Sequence, residues 1–453
     1  GRAAALAVLA SPFLLSLVPE ANAPKLVLPL AAVILLAALL GAPVFVAMGG
    51  LALLLFWKDA VPVPAVSAEV YRLIASPTLP AIPLLTAAGY ILAEGGASAR
   101  LVRFFRALFG WMPGGIAVMV AAVCALFTTF TGGSGVTIIA LGGLVYPILR
   151  DDGYPEGFSL GLVTAAGSLG LLFPPSLPVI LYSVVASVPA DSLYLAGLVP
   201  GLLLVVLTAA WGIRQGLRLE AQGRKRPEFV LRELGVSFWE AKWELALPFL
   251  VIVLFASGFA SMVEASAAAC AYAAIVECLV TRDIHPFRQL PGVLLKAGAL
   301  MGAVLLLLSV AMGLTSWLVD AQVPGALLAY VKTHVSSPLA FLLVLNVILL
   351  VLGSVLEIYS AIVILAPLVA PMGAAFGIDP IHLGVIFLAN LELGFLFPPV
   401  GLNLFLSSSR FGVPLPRLYR HAVPYLLILG AGVLLITYVP AMSTGILALL
   451  GKR

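Results

Sequence analysis

Long apolar stretches alternate with short polar breaks over almost the whole chain. Runs Leu26–Trp57, Leu79–Ala93, Gly114–Phe130, Phe158–Val188, Leu193–Trp211, Phe249–Thr281, His382–Arg410 and Ala422–Val439 carry few charges. About twenty apolar residues in a helix span the hydrocarbon core of a bilayer. These runs are too long and too uniformly apolar for the alternating strands of an outer-membrane barrel. The pattern predicts an all-α polytopic membrane protein.

Polar and glycine–proline interruptions recur at a fixed spacing. Gly170-Leu171-Leu172-Phe173-Pro174-Pro175 returns as Gly394-Phe395-Leu396-Phe397-Pro398-Pro399, 224 positions later. The same offset pairs Pro147 with Pro371 and Gly153 with Gly377. Four punctuating residues in register indicate an internal duplication. A Pro-Pro pair removes two backbone donors and clashes with carbonyls one turn earlier, so each apolar run breaks there. At membrane depth the freed carbonyls need protein, water or an ion as partner. Duplicated halves with breaks at corresponding positions point to the midplane site of a secondary transporter. Upstream of each break, glycines interrupt a segment too short for two crossings: Thr131-Gly132-Gly133-Ser134-Gly135 in one half and Gly353-Ser354 in the other. Re-entrant hairpins are expected at about 127–150 and 351–377, with broken helices at 158–188 and 382–410. The halves are then residues 25–211 and 245–453, joined by the polar stretch 212–244.

That stretch holds Arg214, Arg218, Arg224, Lys225, Arg226, Arg232 and Lys242. The positive-inside rule puts it in the cytoplasm, and Trp239 and Trp243 suggest an interfacial helix within it. Arg100, Arg103 and Arg106 recur at helical spacing beside Leu101, Phe104, Phe105 and Leu108, as in a helix lying among headgroups; a solvated basic face is the expectation. Residues 1–24, with Arg2 before Ala3–Val18 and Ala21-Asn22-Ala23 after it, read as a signal peptide or an extra membrane helix. The helix is the preferred reading.

Composition narrows the classes. With 62% hydrophobic and 10% charged residues, a soluble globular protein is excluded. The net charge of +4 belongs to interfacial Lys and Arg, not to a nucleic-acid surface. Cys124, Cys270 and Cys278 and the four scattered histidines lack metal-ligand spacing. No Ser/His pair or paired aspartates support an intramembrane enzyme, and no G-x-x-x-x-G-K-[ST] loop supports nucleotide binding. An ion channel and a carboxylate carrier working without a binding protein remain as rivals.

A mid-membrane carboxylate is costly and therefore a functional candidate. Glu357 lies in the second hairpin and Glu392, near Asn390, just before the second break; either shapes an ion or substrate pocket, or caps a half-helix. Glu94, Glu264, Glu277 and Asp320 lie near span ends and read as interfacial. Asn403 follows the second break, within reach of substrate or of another helix. Half-helix N-termini carry partial positive charge that suits a carboxylate substrate.

Over about residues 26–440 the chain resembles the large membrane subunit of tripartite ATP-independent periplasmic (TRAP) transporters. The likeness is densest in Gly153-Tyr154, Thr164-Ala165-Ala166, Phe173–Pro178, Ala196–Gly201 and the run Gly377–Leu404 with its Asn390-Leu391-Glu392-Leu393-Gly394. It implies inverted repeats and the elevator-type scaffold and transport domains of the ion-transporter superfamily. It also implies import of an organic acid with Na⁺ across a bacterial or archaeal cytoplasmic membrane. A periplasmic substrate-binding protein and a small membrane subunit would be partners. Carried over by position, one sodium site takes Thr131, Ser134, Gly170, Phe173 and Pro175, and the other Gly353, Gly394, Phe397 and Val400. Candidate substrate contacts are Thr137, Thr164, Ser168, Ser176, Glu357, Asn390 and Asn403. Phe397 stands where the family commonly has threonine, and Thr137 where relatives tend to have an acid.

Overall fold

The computed structural model describes residues 23–40, 44–59, 71, 75, 78–223, 227–256, 259–335 and 337–451. Residues 1–22 of the expected N-terminal segment, and the interruptions Gly41-Ala42-Pro43 and Ser257-Gly258, lie outside them. Within the described residues the chain is helical and contains no strand. Five of these helices are long and apolar enough to cross a membrane: Ala190–Ala221, Met262–Val280, Leu290–Asp320, Ile358–Ala375 and Leu415–Tyr438. Apolar side chains such as Leu202, Val206, Phe249, Val253 and Leu427 are exposed on the outside, as lipid contact requires.

One group of helices gathers α1 (Ala23–Leu39), α2 (Val44–Lys58), α3 (Ala81–Glu94) and α4 (Ala97–Phe109) with α11 (Leu231–Ala256), α12 (Met262–Ile275), α13 (Leu290–Asp320) and α14 (Val323–His334). Here α3 packs on α12 and α13, α2 on α13, and α4 on α11. The polar stretch 212–244 is mostly helical, split between the end of α10 and the start of α11.

The rest of the chain builds the part that holds the two breaks. Helix α5 (Gly115–Thr131) runs into Gly132, whose φ of 64° is the left-handed cap that glycine supplies without strain. The chain then turns back through α6 (Ser134–Ala140) and α7 (Gly142–Asp151). Next come α8 (Glu156–Ala166), an irregular stretch, α9 (Leu177–Val185) and α10 (Ala190–Ala221). The second half repeats the order: α15 (Pro338–Gly353), α16 (Ile358–Ala375), α17 (Pro380–Gly394), a break, α18 (Leu402–Phe411) and α19 (Leu415–Tyr438), followed by α20 (Ala441–Leu449). Helices α16 and α17 begin 224 residues after α6 and α8. The Pro174–Pro175 and Pro398–Pro399 bonds, one in each break, are both cis.

Contacts between the halves are reciprocal. Helix α9 packs on α16 while α18 packs on α6, and α8 packs on α19 while α10 packs on α17. Helix α19 marks direction. Near its start, Arg417 donates to Glu156 of α8 at 3.1 Å; near its end, His382 Nε2 of α17 lies 3.2 Å from Thr437 O. At 24 residues, α19 separates those contacts by roughly 30 Å. The two broken helices therefore start from opposite ends of the same helix.

The arginine stripe departs from expectation at Arg100. Its Nε donates to Glu244 at 2.6 Å and its Nη2 to Glu277 at 2.8 Å, while Nη1 reaches Asp283. Both glutamate side chains are fully buried, so Arg100 is not on a solvated face, and Glu277, near the end of the span Met262–Val280 as expected, is turned into the protein. Burial alone would raise the Asp283 carboxyl, but hydrogen bonding and attraction to Arg100 outweigh it and hold it below its ordinary value. Arg103 and Arg106 do face outward; the Arg103 pairs with Glu233 and Glu240 are exposed and contribute little. Glu264 closes a capping box with Ser261 at the start of α12.

Candidate functional site

The C-terminal end of α5 is pressed against the first break. A Cβ on Gly170 would lie 2.1 Å from Ala125 O and 2.7 Å from Thr129 N, so only glycine lets the backbones approach. Thr129 Oγ1 lies 3.3 Å from Gly170 O, and Thr128 Oγ1 lies 2.9 Å from Gly167 O. Thr137 Oγ1 stands 2.8 Å from Thr128 Oγ1 and 3.4 Å from Thr131 Oγ1, which is itself 3.3 Å from Gly133 O. A hydroxyl has one proton and two lone pairs, so this chain of buried hydroxyls retains acceptor capacity. Ser134 Oγ is buried with no hydrogen-bond partner among the described residues. Hydroxyl and carbonyl oxygens of this kind suit a hard monovalent cation, whose hydration shell they can replace.

Three of the oxygen positions expected in the first break differ in what they do. Gly170 O accepts from Phe173 N at 3.1 Å, and Phe173 O from Ser176 N at 2.9 Å, so turns already use part of their capacity. The Phe173 ring packs over Gly201. Pro175 lines a small apolar cavity of about 70 Å³ with Leu85, Ile180, Tyr194 and Met262.

In the second half the match is backbone on backbone. A Cβ on Gly394 would lie 2.8 Å from the Gly353 carbonyl carbon, and Gly401 N donates to Ser354 O at 2.8 Å. Phe397 N closes a turn onto Gly394 O at 2.9 Å, and the Val400 side chain is exposed. Glu357 is the N-cap of α16, accepting from Ser360 N at 3.3 Å. Glu392 is buried and neither carboxylate oxygen has a hydrogen-bond partner among the described residues.

Between the two breaks lies a closed polar cluster. Asn403 Nδ2 donates to Thr164 O at 3.1 Å and to Ser168 Oγ at 3.2 Å; Thr164 Oγ1 lies 2.8 Å from Ser407 Oγ. Asn403 Oδ1 and Ser176 Oγ are buried and without hydrogen-bond partners among the described residues. The structure thus brings Thr164, Ser168 and Asn403 together, all three buried. It places Asn390 elsewhere: its amide donates to Asn346 at 2.6 Å, and Thr437 donates to the same oxygen at 3.2 Å. That triad ties α17, α15 and α19 together.

Thr128, Thr129, Ser407 and Tyr359 belong to the site and were not singled out in the sequence. The two threonines had a signal, as the first hydroxyls of an apolar run that ends at glycine. Tyr359 had none, because its hydroxyl donates to Gly132 O, 227 residues away, at 2.9 Å.

Paired breaks, one packed on the end of α5 and the other on Gly353 at the end of α15, place this chain among polytopic helical membrane proteins. The chain belongs to the tripartite ATP-independent periplasmic transporter family, DctM component, whose model matches residues 30–442. It is 36% identical over 397 residues to the C4-dicarboxylate TRAP transporter large permease protein DctM of Pseudomonas aeruginosa, covering 87% of this chain and 91% of that one. It is 32% identical over 407 residues to the isethionate TRAP transporter permease protein DctMQ of Oleidesulfovibrio alaskensis, covering 89% of this chain and 63% of that longer protein. Among solved structures, the Alcanivorax borkumensis YdaH transporter shares the fold, with TM-score 0.62, 17% identity, and coverage of 84% of this chain and 88% of that one.

Proposed function

We propose that this chain is the membrane pathway for sodium-coupled import of an organic anion, delivered by a periplasmic binding protein and assisted by a small membrane subunit. The observation that carries the reading is the pair of breaks, the first in backbone contact with the end of α5 that leads into Gly132 and the second with Gly353 at the end of α15. A cation bound at Thr131, Ser134 and the Gly170 carbonyl would hold one turn closed, and a second at Gly353, Gly394 and the Phe397 and Val400 carbonyls the other. Asn403, Thr164, Ser168 and Ser176 lie between them as the polar floor for a carboxylate or related acid group. The two halves act as inverted repeats, a reading supported by α8 and α17 starting from opposite ends of α19. The hairpins and broken helices move as an elevator against α1–α4 and α11–α14. With α10 ending at Arg214 and Arg218, the positive-inside rule puts that end in the cytoplasm, so the first turn opens inward and the second outward.

The energetics are sufficient. Each sodium entering down about 100 mV and a tenfold gradient contributes about 3.7 kcal/mol. Two supply about 7 kcal/mol, and carrying in a doubly charged anion costs about 4.6. The remainder sustains roughly hundredfold accumulation. The test is uptake into proteoliposomes of a panel that includes a C4-dicarboxylate and isethionate, with and without the binding protein. Saturable uptake that requires the binding protein supports the reading; equal uptake without it assigns the chain to carriers that bind substrate directly.

The second site has fewer hydroxyls, since Val355, Ile358 and Ala361 occupy the positions matching Thr131, Ser134 and Thr137. Glu357 supplies a carboxylate at that turn in place of the absent hydroxyls. Glu357→Gln keeps an acceptor for Ser360 N but removes the charge. It is expected to lower the Hill coefficient for sodium from about 2 toward about 1 in uptake titrations. An unchanged coefficient and sodium affinity make Glu357 a helix cap only.

A further inference from the structure

The two turns are not independent. Tyr359 is the second residue of α16, directly after the Glu357 cap, and its side chain is 4% exposed. Its hydroxyl crosses to the other half and donates to Gly132 O at 2.9 Å. Gly132 is the left-handed residue on which the first turn pivots, its N–H closing α5 onto Thr128 O at 2.9 Å. A Cβ on Gly132 would lie 2.3 Å from Leu177 Cδ1 at the start of α9, so this peptide is held from both sides. The matching position in the first half is Gly135, which carries no side chain to return the contact. The link therefore runs one way, from the second turn's helix to the first turn's carbonyl.

We infer that the Tyr359 hydroxyl is a positioning group that ties the two glycine turns into one unit, so that they order and open together. The bond orients the Gly132 peptide, and with it the Thr131 hydroxyl and the Gly133 carbonyl beside it. On the far side, the backbone around Tyr359 is fixed by Glu357, which caps the same helix turn. A cation that orders one turn thereby lowers the cost of ordering the other, which is positive coupling by shared ordering. This coupling rests on the sodium reading above; the tie itself does not.

Tyr359→Phe tests both, since it removes one oxygen and keeps the ring. In the purified protein without sodium, hydrogen exchange is followed for peptides covering 131–135 and 354–360. The tie predicts about fivefold faster exchange at both turns in the variant, the factor for one neutral buried hydrogen bond. Faster exchange at one turn alone, or at neither, overturns it. In uptake titrations the variant is expected to lose sodium cooperativity, its Hill coefficient falling to about 1. A lowered melting temperature with an unchanged Hill coefficient marks the hydroxyl as a packing group and overturns the coupling. If the parent shows no sodium dependence, the sodium reading fails, and the exchange result still decides whether the turns are tied.

Discussion

Gly170→Leu and Gly394→Leu each abolish uptake while the protein is still made and inserted. The physical reason is distance. A Cβ alone at Gly170 would sit 2.1 Å from the Ala125 carbonyl oxygen, and at Gly394 2.8 Å from Gly353 backbone. Neither obstacle is the end of a flexible side chain, so the break must part from the end of α5 in one half and from Gly353 in the other. Overpacking of this kind costs about 1–3 kcal/mol in an ordinary core, small enough for the fold to survive. On the sodium proposal the separation is decisive, because Thr129 and the Gly170 carbonyl no longer meet and the oxygens proposed to hold the cation disperse. Gly298→Leu is the control: a Cβ there meets nothing within 4 Å and the position is exposed, so uptake stays near the parent's. Uptake in membrane vesicles, normalised to protein in the membrane, is the measurement. Transport by either break variant within twofold of the parent would show that the turns need not seat against the breaks.

Arg100→Leu has the second large effect, on stability. Arg100 is the guanidinium shared by Glu244, Glu277 and Asp283, and the first two are fully buried. Removing one partner of a buried pair leaves charge without compensation and costs about 3–5 kcal/mol. That is a large share of the 5–15 kcal/mol that typically holds a folded protein. The clamp joins α4 to α11 and to the Val276–Val280 turn at the end of α12, so its loss loosens the helix group against which the breaks sit. The expected outcome is loss of a monodisperse peak in detergent and a clearly lowered melting temperature. Adding Glu244→Gln and Glu277→Gln to Arg100→Leu is expected to recover much of it, because the buried charges go with their partner. An Arg100→Leu protein as stable as the parent would mean that the carboxylates are held by something else.

Much of this was legible because backbone constraints write themselves into local sequence. Pro-Pro in an apolar run forces a break wherever it occurs, and glycines flank positions where backbones touch, so Gly170, Gly353 and Gly394 could be read directly. Thr164, Ser168 and Asn403 were recognisable as polar residues in helices that should have none. What they bond to was not legible, and Asn390 shows the difference: the same local signal led to a helix tie with Asn346 and Thr437. Arg100 and Tyr359 were opaque for a common reason. Their partners are 144 and 227 residues away, and an arginine in an amphipathic stripe looks the same whether it meets water or three carboxylates. Thr128 and Thr129 were legible as hydroxyls in an otherwise apolar run, but not their bonds to Gly167 and Gly170, some forty residues on.

On the proposed function, sodium drives the closing of the two glycine turns over their breaks. This is tested most directly in proteoliposomes containing this chain, its small subunit and the loaded binding protein, with the membrane potential clamped and the proton gradient collapsed. The account predicts accumulation of the organic anion when sodium is imposed outside. It also predicts none when choline replaces sodium, with a sodium dependence steeper than first order. Equal accumulation in choline would contradict it.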